Sequence, residues 1–274
     1  LASGKGSYVK WDMNRSITEC WSHALPAARQ GEVFHRYILG LYDLYERLTT
    51  AFPHVLFESC ASGGNRFDPG MLYYAPQAWT SDNSDAVERQ KIQYGTSMCY
   101  PLSSMGSHVS VVPNHQVNRV TPLHTRANTA YFGTFGYELD LGKLSAEEIA
   151  EVKDEIAFMK EYREIFQFGT FYRLQSPFEH NVMAWMCVSG DQKTAIVGWY
   201  RTLNRVNDRF ARVRLAGLLP DTLYEDSRSG ARCYGDELMH YGLITTDGTT
   251  GEPHPEDGLT TDFDSRLYVL NAVE

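Results

Sequence analysis

The sequence predicts an α/β region followed by an antiparallel β region, and three observations carry that reading. Through residues 7–165, short apolar runs alternate with stretches of helical period, the pattern of a parallel sheet with crossover helices. From about residue 168 the texture changes to short runs with period-two alternation or β-branched and aromatic enrichment, separated by Gly, Asp and Pro turns. Between the two, Ser145 with Glu148 three residues later forms a capping box that opens a long helix. The expected domains are therefore 1–167 and 168–274.

Taken in order, strands are expected at 8–12, 54–58, 78–81, 108–112 and roughly 131–139. A helix is expected over 32–51, where Val33, Tyr37, Ile38, Leu41, Leu44, Tyr45 and Leu48 recur at helical spacing, and another over 86–99. Ile149, Val152, Ile156, Met159 and Phe166 trace one face of the helix that Ser145 caps. The β region offers runs at 182–188, 194–200, 210–215 and 266–270, a small domain of sandwich type. About five strands with four helices are too many for a simple motif and too few for a closed eight-stranded barrel. The first region is either an open α/β sheet or the second half of a barrel whose first half lies outside this chain.

Composition narrows the function. A chain of 274 residues with 43% hydrophobic and 13% aromatic residues has ample material for a packed core. A net charge of -9 without clustered Lys and Arg argues against a nucleic-acid or anionic-membrane partner. The five cysteines are odd in number, scattered and never C-x-x-C, so neither a disulfide framework nor a zinc site is expected, and a reducing cytoplasm fits best. No run approaches ~20 apolar residues, and no signal-peptide pattern opens the chain. The serine-hydrolase elbow, the phosphate loop and H-E-x-x-H are all absent, so no cofactor and no metal is expected.

Two polar clusters remain. In a strand, residues i, i+2 and i+4 share a face, so Tyr8, Lys10 and Asp12 project together. One reading is an ion pair at a strand end; the other is a carboxylate kept charged for chemistry by its neighbour. The second cluster is Trp79-Thr80-Ser81-Asp82-Asn83-Ser84-Asp85-Ala86, in which any of the acidic or amide residues makes a good helix N-cap. If both clusters lie at carboxyl ends of parallel strands, Asp12 and Asp82 share the face where active sites of such sheets are built. Two converging carboxylates are the minimum equipment of glycoside hydrolysis, one to attack or activate water and one to protonate the leaving oxygen. Between them, Gly63-Gly64 permits positive φ and a close backbone approach, and Arg66 can either pair with Asp68 or hold a carboxylate in place.

Three blocks then carry a resemblance: Lys10-Trp11-Asp12-Met13-Asn14-Arg15, Cys60-Ala61-Ser62-Gly63-Gly64-Asn65-Arg66-Phe67-Asp68, and Trp79-Thr80-Ser81-Asp82-Asn83-Ser84-Asp85-Ala86 with Arg89 and Ile92-Gln93 behind. In that order they resemble the signature blocks of the family 36 glycoside hydrolases, the bacterial and fungal α-galactosidases. The likeness continues through Gly106-Ser107-His108-Val109-Ser110 and Val112-Pro113-Asn114-His115 into the C-terminal β region. It implies a retaining enzyme in which Asp12 is the nucleophile and Asp82 the acid/base, Lys10 and Asn14 bind galactose hydroxyls, and Cys60 with Gly63 line the sugar pocket. Trp79 is a further candidate sugar contact, although a strand tryptophan is more often core.

The resemblance also resolves the count of strands. It makes 1–167 the C-terminal half, strands four to eight, of a (β/α)8 TIM barrel, and 168–274 a C-terminal antiparallel β-sandwich domain. Galactose contacts from the first barrel strands are then supplied by a missing N-terminal half or a companion fragment, and the chain alone is expected to turn nothing over. The expected substrates are α-galactosides of the melibiose or raffinose type, and the expected assembly is a homotetramer. A galactosyltransferase of raffinose-synthase type and a non-catalytic sugar-binding module are the two rival readings.

Overall fold

The computed structural model describes residues 1, 4–14, 18–205, 211–245 and 262–273. Strand β1 (Tyr8–Asp12) alternates exposed and half-buried positions. Its half-buried residues, Val9 and Trp11, pack against a core of Leu41, Tyr45, Val55, Phe57, Met71 and Ala75. Leu41 and Tyr45 come from helix α1 (Val33–Ala51), Phe57 from β2 (Leu56–Cys60) and Met71 from α2 (Pro69–Tyr74). Helix α2, which the sequence pattern did not single out, is capped by Asp68, whose carboxylate accepts from Met71 N at 2.9 Å and from the Tyr42 hydroxyl at 2.9 Å. Asp68 is thus a cap, with Pro69 at the first helical position where its missing N–H costs nothing.

Strands β3 (Gln77–Trp79), β4 (Met105–Ser110) and β5 (Thr134–Glu138) follow, and the five strands form one sheet in the order β1-β2-β3-β4-β5. The first three pairings are parallel. Strand order equal to chain order, with helices α3 (Ala86–Thr96) and α4 (Leu123–Ala130) in the later crossovers, is the arrangement of a half barrel. The strand at 8–12 is where the sequence placed it. The second runs two residues later than expected, because parallel pairing to β1 carries Ser59 and Cys60 into the ladder opposite Trp11 and Asp12.

Helix α5 (Ala146–Phe168) begins at Ser145, whose capping box is formed as predicted, with Ser145 N donating to Glu148 at 2.8 Å. Strands β6 (Thr170–Gln175), β7 (Val182–Val188), β8 (Thr194–Arg201), β10 (Leu223–Asp226), β11 (Arg232–Tyr234) and β13 (Asp264–Ala272) form a six-stranded antiparallel sheet in the order β11-β10-β13-β8-β7-β6. Strands β9 (Arg212–Val213) and β12 (Leu243–Ile244) pair separately. Helix α6 (Gly235–His240) lies between β11 and β12 in the chain. One face of the large sheet, through Ala184, Met186, Val197 and Trp199, shares a core with Val213, Leu215 and Leu238, the two-layered packing expected of a sandwich. The other face carries Trp185, whose ring lies 4.9 Å from Phe132, 6.0 Å from Phe171 and 5.5 Å from Tyr200. Covered on both faces, β7 and β8 read as continuous apolar runs. Gly198 is required there: a Cβ would stand 2.8 Å from the Trp185 indole nitrogen and 2.9 Å from Phe132.

By its contacts the chain divides into two compact units, Leu1–Asp82 with Ser104–Gly106, and Asn83–Ser103 with Ser107–Glu274. Of the expected β runs, 210–215 falls partly outside the described residues, and its described part contains β9. Among the described residues, no helix is long and apolar enough to cross a membrane.

Candidate active site

All seven candidate residues, Lys10, Asp12, Asn14, Cys60, Gly63, Trp79 and Asp82, fall within the first compact unit. Period two on β1 sends Val9 and Trp11 to the core and leaves Tyr8, Lys10 and Asp12 on the opposite, exposed face. Register in the sheet extends that face. Lys10 stands opposite Glu58, and Asp12 opposite Cys60. Asp12 is the last residue of β1 and Cys60 the last of β2, so both lie at carboxyl ends.

A run of short contacts links the three strand ends. Past β1, the Asn14 side-chain oxygen accepts from Ser62 N at 2.7 Å. Ser62 and Gly63 both take positive φ, 53° and 78°, turning the chain after β2. The turn then lies against the segment that leaves β3: a Cβ on Gly63 would meet the Ser81 Cα at 2.6 Å, and one on Gly64 the Thr80 carbonyl oxygen at 3.1 Å. The close approach that the Gly63-Gly64 pair permits is therefore to backbone, and it fixes the residues directly before Asp82. Asp82 is exposed, like Asp12.

The cap of α3 belongs elsewhere in the acidic string. Asp85 accepts from Glu88 N at 3.0 Å and pairs with Arg119, whereas Asp82 lies three residues before it. Asn83 supports that cap by accepting from Asp85 N at 3.1 Å. An ordinary helix N-terminus thus accounts for Asp85 and leaves Asp82 to be explained.

Lys10 reaches across the sheet to Glu58, with Nζ 3.9 Å from Oε1. The same ammonium lies 4.8 Å from the centroid of the Trp79 ring, a cation–π contact. Trp79 itself is buried, and Gly106 on β4 leaves room for it, since a Cβ there would press on the ring at 3.0 Å. Burial pushes the Cys60 thiol up, an effect that Lys10 opposes and that Asp12 reinforces by charge and by a hydrogen bond. Glu58 is the residue that sequence reasoning missed. Its signal was available: Glu58 ends the strand expected at 54–58 and shares strand parity with Cys60, which opens the second signature block.

No candidate residue lines the cavity of about 550 Å³ in the antiparallel region beside Tyr224, Tyr268 and Leu270. The candidate residues lie instead on β1, at the carboxyl ends of β2 and β3, and in the segments that follow these three strands. Among the described residues, no cluster of three or more metal-ligating side chains occurs.

Comparison with known proteins decides the family. A model described as Melibiase matches residues 1–169, and one described as the glycosyl hydrolase family 36 C-terminal domain matches residues 182–270. The chain belongs to glycoside hydrolase family 36. Among its relatives, the family 36 enzyme Alpha-galactosidase AgaA of Geobacillus stearothermophilus is 53% identical over 100% of this chain, which spans 36% of that enzyme. Alpha-galactosidase Mel36A of Lactobacillus acidophilus is 49% identical over 89% of this chain and 33% of its own length. The crystal structure of AgaA superposes with a TM-score of 0.92 at 53% identity, covering 100% of this chain and 36% of that one. An AgaA variant solved in complex with raffinose gives a TM-score of 0.90 at 52% identity, covering 97% and 36%. The chain therefore spans about a third of the length of the curated relatives it matches.

Proposed function

We propose that this chain carries the catalytic aspartates of a retaining α-galactosidase acting on oligosaccharides of the melibiose and raffinose type. The observation that supports it most is the run of contacts from Asn14 to Ser62 and from Gly63 to Ser81, which ties Asp12 and Asp82 to neighbouring strand ends with only β2 between them. The α-galactosidase names of the family 36 relatives, and the raffinose held by one of them, supply the substrate class.

In this reading an Asp12 oxygen attacks C1 of the galactosyl residue while the C1–O bond to the leaving sugar breaks. Asp82 gives its proton to that departing oxygen. Asp82, now a carboxylate, takes a proton from water, whose oxygen attacks C1 and releases Asp12. Two inversions leave the anomeric configuration as it began. Lys10 and Asn14 hold galactose hydroxyls, Cys60 and Gly63 line the pocket, and Trp79 lies beneath the Lys10 ammonium. Residues 1–167 act as barrel strands four to eight and 168–274 as the sandwich domain. Turnover is assigned to a polypeptide in which further strands close the barrel, and the chain alone is inactive. Its five free cysteines suit a reducing compartment, the cytoplasm, and a homotetramer is the assembly carried over from the family.

The test is galactose release by the whole protein from p-nitrophenyl α-galactoside and from raffinose, with the anomer followed by NMR. Retention is expected, with Asp12→Ala slowed on both substrates by on the order of 10⁴-fold or more. Asp82→Ala should lose raffinose far more than the aryl galactoside, whose leaving group departs without a proton. An Asp12→Ala enzyme within tenfold of its parent would sink the assignment.

A further inference from the structure

We propose that Glu58 is a positioning residue that clamps the Lys10 side chain beside Asp12, a role resting on the assignment of Lys10 as a galactose contact. Glu58 is 3% exposed although it carries a carboxylate. Its Oε2 accepts from the Tyr8 hydroxyl, and its Oε1, which makes no hydrogen bond, faces Lys10 Nζ at 3.9 Å. Tyr8, Lys10 and Glu58 share one face of the sheet, with Lys10 and Glu58 in register.

As a device for stability this arrangement is poor. A buried carboxylate loses its hydration, and an ammonium still 34% exposed and beyond hydrogen-bond distance returns little of it. As a device for geometry it is well made. Tyr8 fixes the rotamer of Glu58, and the Trp79 ring, 4.8 Å from Nζ, supports Lys10 from β3. A lysine free in solvent samples many rotamers, and selecting one of them costs conformational entropy. A clamp that selects it before substrate arrives spares binding that cost. The Cys60 thiol feels both Lys10 and Asp12, so the clamped ammonium and the proposed nucleophile border the same spot.

The test is a cycle of variants in the whole protein, with p-nitrophenyl α-galactoside as substrate. Glu58→Gln keeps the size of the side chain and its bond to Tyr8 and removes the charge. It is expected to raise KM about tenfold, the worth of a hydrogen bond or ion contact to a charged group, with a smaller change in kcat and an unchanged melting temperature. In a Lys10→Met background the same substitution should raise KM no further, because the residue it acts through is gone. An equal rise in both backgrounds overturns the proposal, as does a lowered melting temperature with parental KM. If Lys10→Met itself leaves KM unchanged, the galactose-contact assignment fails and Glu58 with it. Should Glu58→Gln fail to accumulate, Glu58→Asp, which keeps the charge but withdraws it by one methylene, is expected to raise KM by a smaller factor; parental KM in that variant overturns the clamp.

Discussion

Strands β1 and β8 are both period-two strands in sheets of one chain, yet their burial differs. On β8 the seven residues after Thr194 are all buried, with Val197 and Trp199 in the sandwich core and Gly198 and Tyr200 against Trp185. On β1 no residue is buried: Val9 and Trp11 are half-covered, and Tyr8, Lys10 and Asp12 face outward. A strand covered on both faces spends all of its side chains on packing. One covered on a single face leaves a row of side chains that packing does not claim, and in the function proposed above the row on β1 is the one given to chemistry.

The largest expected effects set the two strands' surroundings against each other. Trp185→Ala removes a ring in contact with Phe132, Phe171 and Tyr200, and is expected to cost about 3–5 kcal/mol in chemical denaturation. The activity that survives should fall only with the folded fraction. Asp12→Ala should do the reverse, leaving the denaturation midpoint within about 0.5 kcal/mol of the parent while removing turnover. Equal destabilisation by the two would mean that the β1 row serves the fold.

Much of this contrast was legible in the sequence. The apolar runs of β7 and β8, the capping box at Ser145 and the alternation on β1 each follow from local periodicity, and each stands where it was expected. What periodicity could not give depends on register between strands distant in the chain. Glu58 reads as one acidic residue near a strand end until pairing sets it opposite Lys10. Gly63 reads as a turn glycine until Ser81 is found against it. The choice between Asp82 and Asp85 as the cap of α3 required the hydrogen bond to Glu88 N, since both residues have the chemistry for it. Helix α4 was missed because seven of its residues are buried and include Thr125, Arg126, Asn128 and Thr129, which leaves no apolar stripe to read.

A smaller effect separates the two regions by pH. Glu155 on α5 is buried, with its carboxylate accepting from the Tyr137 hydroxyl, and burial pushes it up to about 7. Because the folded value lies above the unfolded one, the folded chain holds a proton that the unfolded chain has released. The stability contributed by that proton is full below about pH 4 and is lost as pH rises to about 7. Glu155→Gln, which keeps an acceptor for Tyr137, should match the parent in melting temperature at pH 4 and exceed it increasingly up to pH 7, by on the order of 2 kcal/mol. A difference that does not change with pH would place the titration in some other group.

The smallest effect falls on the acidic string itself, where two aspartates three residues apart have been given different work. Asp85 is 2% exposed, holds the first turn of α3 through Glu88 N and pairs with Arg119. Replacing it with Ala removes both, and about 1–2 kcal/mol of stability should go with them in a urea titration. Asp82 is exposed and precedes the cap, so Asp82→Ala should shift the same titration by less than about 0.5 kcal/mol. If Asp82→Ala proves the more destabilising of the two, its carboxylate is bound into the local fold and is not free to hold and release a proton at the strand end. The order of these two midpoints therefore decides, without any substrate, which aspartate the helix requires.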